Sequence, residues 1–157
     1  MEEFERRLAE TGFCQGMEAR HVRLLSGRAG ERSFNANEFI FREGEDARLF
    51  YIIRSGKVSL EVSAAERGAI VFQTIGAGDA LGLSWLFHPF HWHFDARAIE
   101  PTVMFTIDAA WLREKIEEDH DFGYEILKRV AHVMIGRLQA TRLQMTDMYG
   151  GSDLKGI

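Results

Sequence analysis

The sequence predicts an α+β domain that is mainly β: an antiparallel β-roll of the double-stranded β-helix or jelly-roll kind, with helices at both ends. Two short apolar runs, at 39–41 and 49–53, are each followed by a turn of charged residues and glycine. Short strands with glycine at their corners are typical of small rolls and barrels. After residue 121, an apolar pattern with helical spacing continues almost to the end of the chain. That pattern predicts a long C-terminal helix.

The N-terminal region, residues 1–31, predicts helices, because Phe4, Leu8 and Phe13 lie on roughly one helical face. The next region, residues 32–107, predicts the roll. Five glycines separate the predicted strands of this region: Gly56, Gly68, Gly76, Gly78 and Gly82. A glycine in a turn usually marks a backbone that needs positive φ, so these positions predict the corners between strands.

One predicted strand of the roll alternates clearly along the chain. Val58, Leu60 and Val62 fall on one face, and Ser59 and Glu61 fall on the other. A period of two residues is that of a β-strand. We therefore expect this strand to have one apolar face and one polar face.

Two helices are predicted to close the fold within residues 108–149. Asp108 is expected to cap the first, and Asp121 to cap a longer helix that runs to about Met148. Two glycines follow, so residues 150–157 are expected to form a short tail. A chain of 157 residues is the size of a single domain, so we treat the three regions and the tail as one unit.

The long helix contains an apolar seam with alternating spacings of four and three residues: Leu127, Ala131, Met134, Leu138, Thr141, Met145 and Met148. This is the spacing of the contacting positions in a coiled coil. A second apolar stripe lies beside the seam as far as Val133, where it meets Arg137. The seam therefore continues beyond the stripe, which favours pairing with a partner helix. The alternative is that both stripes belong to the core of a single chain.

Composition excludes several classes of protein. The net charge of −5 argues against a nucleic-acid-binding surface, which requires clustered Lys and Arg. The single cysteine, Cys14, excludes an internal disulfide or a cysteine-based metal cluster within one chain. No apolar run approaches the ~20 residues that span a bilayer, so we expect a cytoplasmic protein. Since the familiar catalytic motifs are also missing, we expect no enzyme activity.

The order of elements in residues 34–60 resembles the cyclic-nucleotide-binding domain family, the sensor half of Crp/Fnr-type regulators. The family shows an apolar strand, a Glu-Gly-Glu turn, a second apolar strand and then Ser-Gly-Lys-Val; here the turn is residues 43–45 and the tetrapeptide is residues 55–58. The resemblance covers about residues 10–149 and implies a regulatory ligand-sensing domain. Family regulators continue into a helix-turn-helix, whereas this sequence ends at Ile157. We therefore expect a stand-alone domain without direct DNA binding.

The resemblance also implies assembly, because the family dimerises through its long helix. Two-fold dimers are the commonest oligomers. We therefore expect a parallel homodimer with an interface formed by Leu127, Met134, Leu138, Thr141 and Met145.

The family's phosphate-binding cassette is altered in this chain. After its last glycine, the family has a Glu that binds the ribose hydroxyl, followed later by an Arg that holds the cyclic phosphate. Here Leu83 follows Gly82, and the Arg position falls on Trp92 or His93, depending on the direction of counting. Losing both charge-assisted contacts would weaken binding by roughly two to four decades. We therefore expect cyclic AMP to bind weakly or not at all.

The candidate ligand pocket implied by the resemblance consists of Gly82, Leu83, Ser84, Trp92, His93 and Thr141. Residues 137–141, Arg-Leu-Gln-Ala-Thr, resemble the catabolite-activator branch of the family, in which the threonine hydrogen-bonds the adenine base. Alternatively, the threonine hydroxyl donates to the carbonyl four residues earlier in its own helix.

Residues 85–94 contain two Trp, three Phe and three His, and they have three interpretations. The aromatics could line a pocket for a flat or apolar ligand, or for a small anion, with His93 as a titratable contact. His91 and His93 resemble the His-x-His of cupin metal sites, although the Glu expected at residues 96–97 is missing. The third interpretation is that the aromatics fill the former pocket. The domain would then be a ligand-free module that organises a protein partner, without cofactor or metal.

Overall fold

The structure is a computed structural model that describes residues 2–148, so the predicted tail lies outside the described residues. Its elements, in chain order, are α1 (Glu2–Ala9), α2 (Ala19–Ser26), β1 (Ala29–Phe34), β2 (Phe39–Phe41), β3 (Leu49–Ser55), β4 (Lys57–Ala64), β5 (Gly68–Gly76), β6 (Asp95–Ala98), β7 (Thr102–Asp108), α3 (Ala109–Glu118) and α4 (His120–Met148). The first strand begins three residues earlier than the predicted start of the roll. No helix within the described range is long and apolar enough to cross a membrane.

The strands form two antiparallel sheets. One has the order β1-β7-β3 and the other the order β2-β6-β4-β5. Their buried side chains share one hydrophobic core, which includes Ile52 and Phe105 from the first sheet and Leu60 and Ala96 from the second. The N-terminal helices and the first half of α4 pack against this core. The architecture is the predicted β-roll with helices at both ends.

Gly56 forms the tight corner between β3 and β4, where its φ is +105°. A Cβ at this position would collide with Thr102 Oγ1 and would lie 2.7 Å from Pro101 O. Both positive φ and close packing therefore require glycine. This corner places β4 beside β6, which follows the cassette segment along the chain.

The predicted polar face of β4 is buried. Ser59 and Glu61 are both buried, and Glu61 is only 1% exposed. A register shift between Leu60 and Glu61 interrupts the alternation, and Val62 is partly exposed. Glu61 is tolerated because it accepts hydrogen bonds from Ser59 Oγ and, at 2.9 Å, from Arg97 Nε. A paired and hydrogen-bonded carboxylate can be buried without the penalty of an isolated charge.

The helix starts depend on aspartates. Asp108 is the predicted cap of α3, and its Oδ1 accepts from the Trp111 N–H at 2.8 Å. The cap of α4 is Asp119, whose Oδ1 accepts from the Phe122 N–H at 3.2 Å, and the prediction of Asp121 was wrong. Arg20 on α2 donates to Asp119 Oδ2 at 2.8 Å. This bond and the backbone bond from Phe122 lower the pKa of Asp119 to about 2.

Candidate functional site

The aromatic loop, residues 85–94, lies between β5 and β6 and packs inward at two tryptophans. The Trp85 ring is fully buried and contacts the Phe50 ring, with centroids 4.8 Å apart. Trp92 is 3% exposed and stacks on Phe41, with centroids 3.8 Å apart and the ring planes 5° from parallel. Phe87 is 54% exposed. The loop therefore divides into an inner aromatic part and an exposed outer part.

Trp92 covers the glycine at which the cassette begins. A Cβ on Gly82 would lie 2.7 Å from Trp92 Cζ3 and 3.4 Å from Phe94 Cζ. Two aromatic rings therefore occupy the space beside this backbone, and only glycine lets them approach so closely. A ligand group placed on this side of Gly82 would have to displace the Trp92 indole.

Main-chain hydrogen bonds fasten the aromatic loop to the turn after β2. Gly44 N donates to Trp92 O at 2.8 Å, Trp92 N donates to Glu45 O at 3.0 Å, and Ala47 N donates to Phe90 O at 2.7 Å. These bonds hold the backbone on both sides of the Trp92 ring, so the ring has a defined position and does not depend on packing alone.

The predicted pocket residues differ in burial and in the contacts that they make. Gly82 and Trp92 are in contact, and Leu83 and Ser84 beside them are half-buried. His93 is exposed to solvent. Thr141 is also exposed, and its Oγ1 donates at 3.0 Å to Arg137 O, the carbonyl four residues earlier. This bond is the one that the alternative interpretation of the threonine expects.

The two histidines of the His-x-His pattern are both exposed. His91 Nε2 lies 3.0 Å from Asp46 Oδ1, so this histidine pairs with a carboxylate of the turn after β2. Within residues 2–148, no group of three or more His, Cys, Asp or Glu side chains is placed to hold a metal ion.

A cleft of about 800 Å³ lies along α4, and no local pattern in the sequence indicated it. The cleft is bordered by α4, by the inner face of β5, by the turn at residues 76–80 and by the N-terminal turn at residues 12–15; its lining residues are Gly12, Phe13, Gln15, Gln73, Ile75, Gly78, Asp79, Ala80, Glu125, Lys128, Arg129, Ala131, His132, Val133, Ile135, Gly136 and Arg137. None of the six predicted pocket residues is among them. We call this feature the α4 cleft.

Two arginines attach α4 to the body across the α4 cleft. Arg129 Nη1 donates to the carbonyls of Phe13 and Gln15, both at 2.8 Å. Arg137 donates to Leu81 O at 3.0 Å and to Ala80 O. Burial lowers the pKa of Arg137. The only sequence signal for this attachment was the position of Arg137 at the end of the apolar stripe.

The stripe beside the seam therefore remains in contact with the body after Val133. Beyond Val133 the contact is made by hydrogen bonds and not by apolar packing. Arg137 donates to main-chain carbonyls of the body, and Gln144 Nε2 donates to Phe72 O. The sequence indicated that the apolar stripe ends at Val133, but it did not predict the polar contacts that continue beyond this residue. Long side chains with hydrogen-bond donors bridge a distance that apolar side chains would not.

The seam itself is exposed in the single chain. Four of its predicted interface residues are between 43% and 50% exposed: Leu127, Met134, Leu138 and Met145. On the neighbouring stripe, Ile126 and Val130 are buried. The seam is therefore not part of the core of this chain, contrary to the intramolecular alternative. A contiguous row of exposed apolar side chains on one helix face is typical of an interaction surface.

The sequence model described as the cyclic nucleotide-binding domain matches residues 31–119. This match covers the roll, the aromatic loop and α3. The chain belongs to the cyclic nucleotide-binding domain family. The matched range includes the segment in which the resemblance implies the cassette.

A curated relative is the CRP-like cAMP-activated global transcriptional regulator of Mycobacterium tuberculosis. It is 26% identical over 141 residues, which are 90% of this chain. The chain spans 61% of the length of that regulator.

Solved structures of the family have the same fold. A cyclic nucleotide-binding-like protein from Brucella abortus is 27% identical, with a TM-score of 0.60 over 73% of this chain and 98% of that protein. A cyclic nucleotide-binding domain from Methylobacillus flagellatus is 16% identical, with a TM-score of 0.77 over 99% of this chain and 85% of that one. The second similarity concerns the fold alone.

Proposed function

We propose that this domain is a regulatory sensor of the Crp-like kind that does not hold a cyclic phosphate through the usual cassette contacts. The observation that carries the proposal is the contact between the Trp92 ring and Gly82. A ligand phosphate would need that space. The indole is buried and stacked on Phe41, so displacing it would break an aromatic contact and expose apolar surface.

The side chains at the cassette support the same conclusion. Leu83 stands where the family resemblance implies a ribose-binding Glu, and Trp92 or His93 stands where it implies the phosphate-binding Arg. Each missing charge-assisted bond contributes about 1.5–3 kcal/mol. The missing bonds and the position of the Trp92 ring both weaken the binding of a cyclic phosphate.

Isothermal calorimetry with cyclic AMP and cyclic GMP tests the proposal directly. We expect no binding tighter than about 100 μM, and low-micromolar affinity for either nucleotide would overturn it. A double variant, Leu83→Glu with Trp92→Arg, restores both implied contacts and should bind cyclic AMP at least tenfold more tightly than the wild type. Phe87→Ala, in the exposed part of the same loop, is the matched control. Should the double variant fail to fold, the wild-type calorimetry decides the question.

We also propose that the domain dimerises through the seam, because apolar side chains of the seam are exposed along one face of α4. Leu138→Glu places a charge at the centre of the exposed seam, where pairing would bury it, and should convert a dimer to monomers. Leu143→Glu is the matched control, since Leu143 is exposed and lies off the seam. Sedimentation of the wild type as a monomer at micromolar concentration would contradict the proposed dimer, as would equal effects of the two substitutions.

The occupied cassette also favours a second candidate function, a ligand-free module that organises a partner protein. The α4 cleft favours the sensor, since a cavity of about 800 Å³ falls in the usual range for small-molecule sites. Native mass spectrometry of the purified protein distinguishes them. A retained small molecule supports the sensor, whereas a bare polypeptide that still binds a partner supports the module.

A further inference from the structure

The α4 cleft has an excess of positive charge. Three permanent cations line it, Lys128, Arg129 and Arg137, against two carboxylates, Asp79 and Glu125. Arg129 is paired, since its Nε lies 3.3 Å from Glu125 Oε2. The Asp79 carboxylate accepts from the Gly76 N–H at 3.0 Å, so it is partly engaged by its own turn.

The Asp79 carboxylate partly opposes the lowering of the pKa of Arg137 by burial, but Arg137 forms no ion pair within residues 2–148. Its hydrogen bonds within residues 2–148 go to two main-chain carbonyls, those of Ala80 and Leu81. A guanidinium carries five N–H groups, so three of them have no acceptor among the described residues. A half-buried cation whose hydrogen bonds go only to neutral carbonyls is incompletely stabilised, even with the Asp79 carboxylate nearby. A negatively charged group placed beside it would stabilise it further.

Part of the cleft lining is apolar. Phe13 and Ile75 are buried, Val133 is half-buried, and Ile135 is exposed. The cleft thus combines the Arg137 cation with apolar side chains on α4, on β5 and on the N-terminal turn. This combination suits a molecule with one anionic group and an apolar body.

We propose that the α4 cleft binds a small amphipathic anion, with its carboxylate or phosphate group on Arg137 and its apolar body against Phe13, Ile75 and Val133. The inference rests on the proposed sensing role and names the class of ligand sensed. It places the ligand outside the cassette, on residues of α4, of β5 and of the N-terminal turn. The ligand would contact both the long helix and the roll.

The first test uses four eight-carbon probes that differ in the head group: octanoate, octyl phosphate, octylammonium and octanol. Calorimetry should show binding of at least one of the two anions, and the cation and the alcohol should bind at least tenfold more weakly. The two anions distinguish a carboxylate from a phosphate site. Equal affinity for octylammonium, or no binding of either anion at millimolar concentration, would overturn the proposal.

The second test locates the site. In methyl NMR spectra, the bound anion should shift the signals of Ile75, Val133 and Ile135, whereas shifts confined to methyl groups outside the cleft would overturn the assignment. Arg137→Gln should weaken anion binding by about tenfold, the effect of losing one charge-assisted bond. Arg67→Gln, in the exposed β4–β5 turn, removes the same charge elsewhere and should leave affinity unchanged. If Arg137→Gln is unstable, the wild-type NMR result decides.

The results of these experiments distinguish a failure of this inference from a failure of the proposed function. If no anion binds but native mass spectrometry finds a retained molecule, the ligand class is wrong and the sensing role stands. If cyclic AMP binds with low-micromolar affinity, the statement about the cassette fails and the test of the α4 cleft is unaffected.

Discussion

Replacing Trp92 with alanine tests whether the indole ring is packed into the hydrophobic core beside Gly82. The side chain is 3% exposed, it is stacked face to face on Phe41, and it covers Gly82. Removing it deletes a large apolar surface and leaves a cavity that the hydrogen-bonded backbone of the loop resists closing.

The expected loss of stability is about 3–5 kcal/mol, the usual range for truncating a buried Trp or Phe to Ala. The stacked pair with Phe41 contributes about 0.5–1.5 kcal/mol of that amount beyond simple burial. For a domain of this size, the loss corresponds to a fall in Tm of roughly 6–20 °C. Phe87→Ala, a truncation in the exposed part of the loop, should cost less than about 1 kcal/mol.

Urea unfolding followed by far-ultraviolet circular dichroism measures both variants without depending on tryptophan emission. Millimolar indole should restore part of the stability of Trp92→Ala, because a molecule that binds only the folded state raises its stability. A loss below 1 kcal/mol for Trp92→Ala, or equal losses for the two variants, would refute the conclusion that Trp92 is a packed part of the core.

Three further predictions concern stability and reactivity. Gly56→Ala should cost more than ~1 kcal/mol in urea unfolding, and more than Gly16→Ala, because both glycines have positive φ but only Gly56 is crowded. The pKa of Asp119 is lowered to about 2 from 3.8, so the contribution of its carboxylate to stability is present above pH 4 and is lost as the pH falls towards 2. Asp119→Asn should therefore flatten the dependence of the unfolding free energy on pH between 4 and 2. An unchanged dependence would contradict the assignment. Burial raises the pKa of Cys14 to about 11 from 9.0. Alkylation by iodoacetamide at pH 8 should therefore be about 100-fold slower in the native protein than in urea, because less of the thiol is ionised. Comparable rates would show that the thiol is accessible.

Local signals in the sequence were sufficient where the determinants are close along the chain. The glycine at residue 56 predicted a corner, and Asp108 predicted a helix cap, because positive φ and capping involve residues only a few positions apart. Asp121 was the wrong choice beside Asp119. The correct cap is held by Arg20, a residue 99 positions away, which no local pattern reveals.

Features that depend on distant partners were not predictable in the same way. Glu61 was expected on a polar face and is buried, because Arg97 from the neighbouring strand neutralises it. The α4 cleft exists only because the fold brings the N-terminal turn against α4, and Arg129 reaches a carbonyl 116 positions earlier. For Trp92 the sequence left a pocket wall and a filled space as alternatives. The structure places its ring against Gly82.

The pair between Arg20 and Asp119 has a mechanical consequence for the long helix. It anchors the first turn of α4 to α2, and the helix then extends over 29 residues, which is about 43 Å at 1.5 Å per residue. Farther along the helix, Arg129 and Arg137 donate to main-chain carbonyls of the body, so α4 is held at several points and not at its first turn alone. A displacement of α4 relative to the roll would have to break these bonds as well as the Arg20–Asp119 pair, so the helix is coupled to the roll along much of its length.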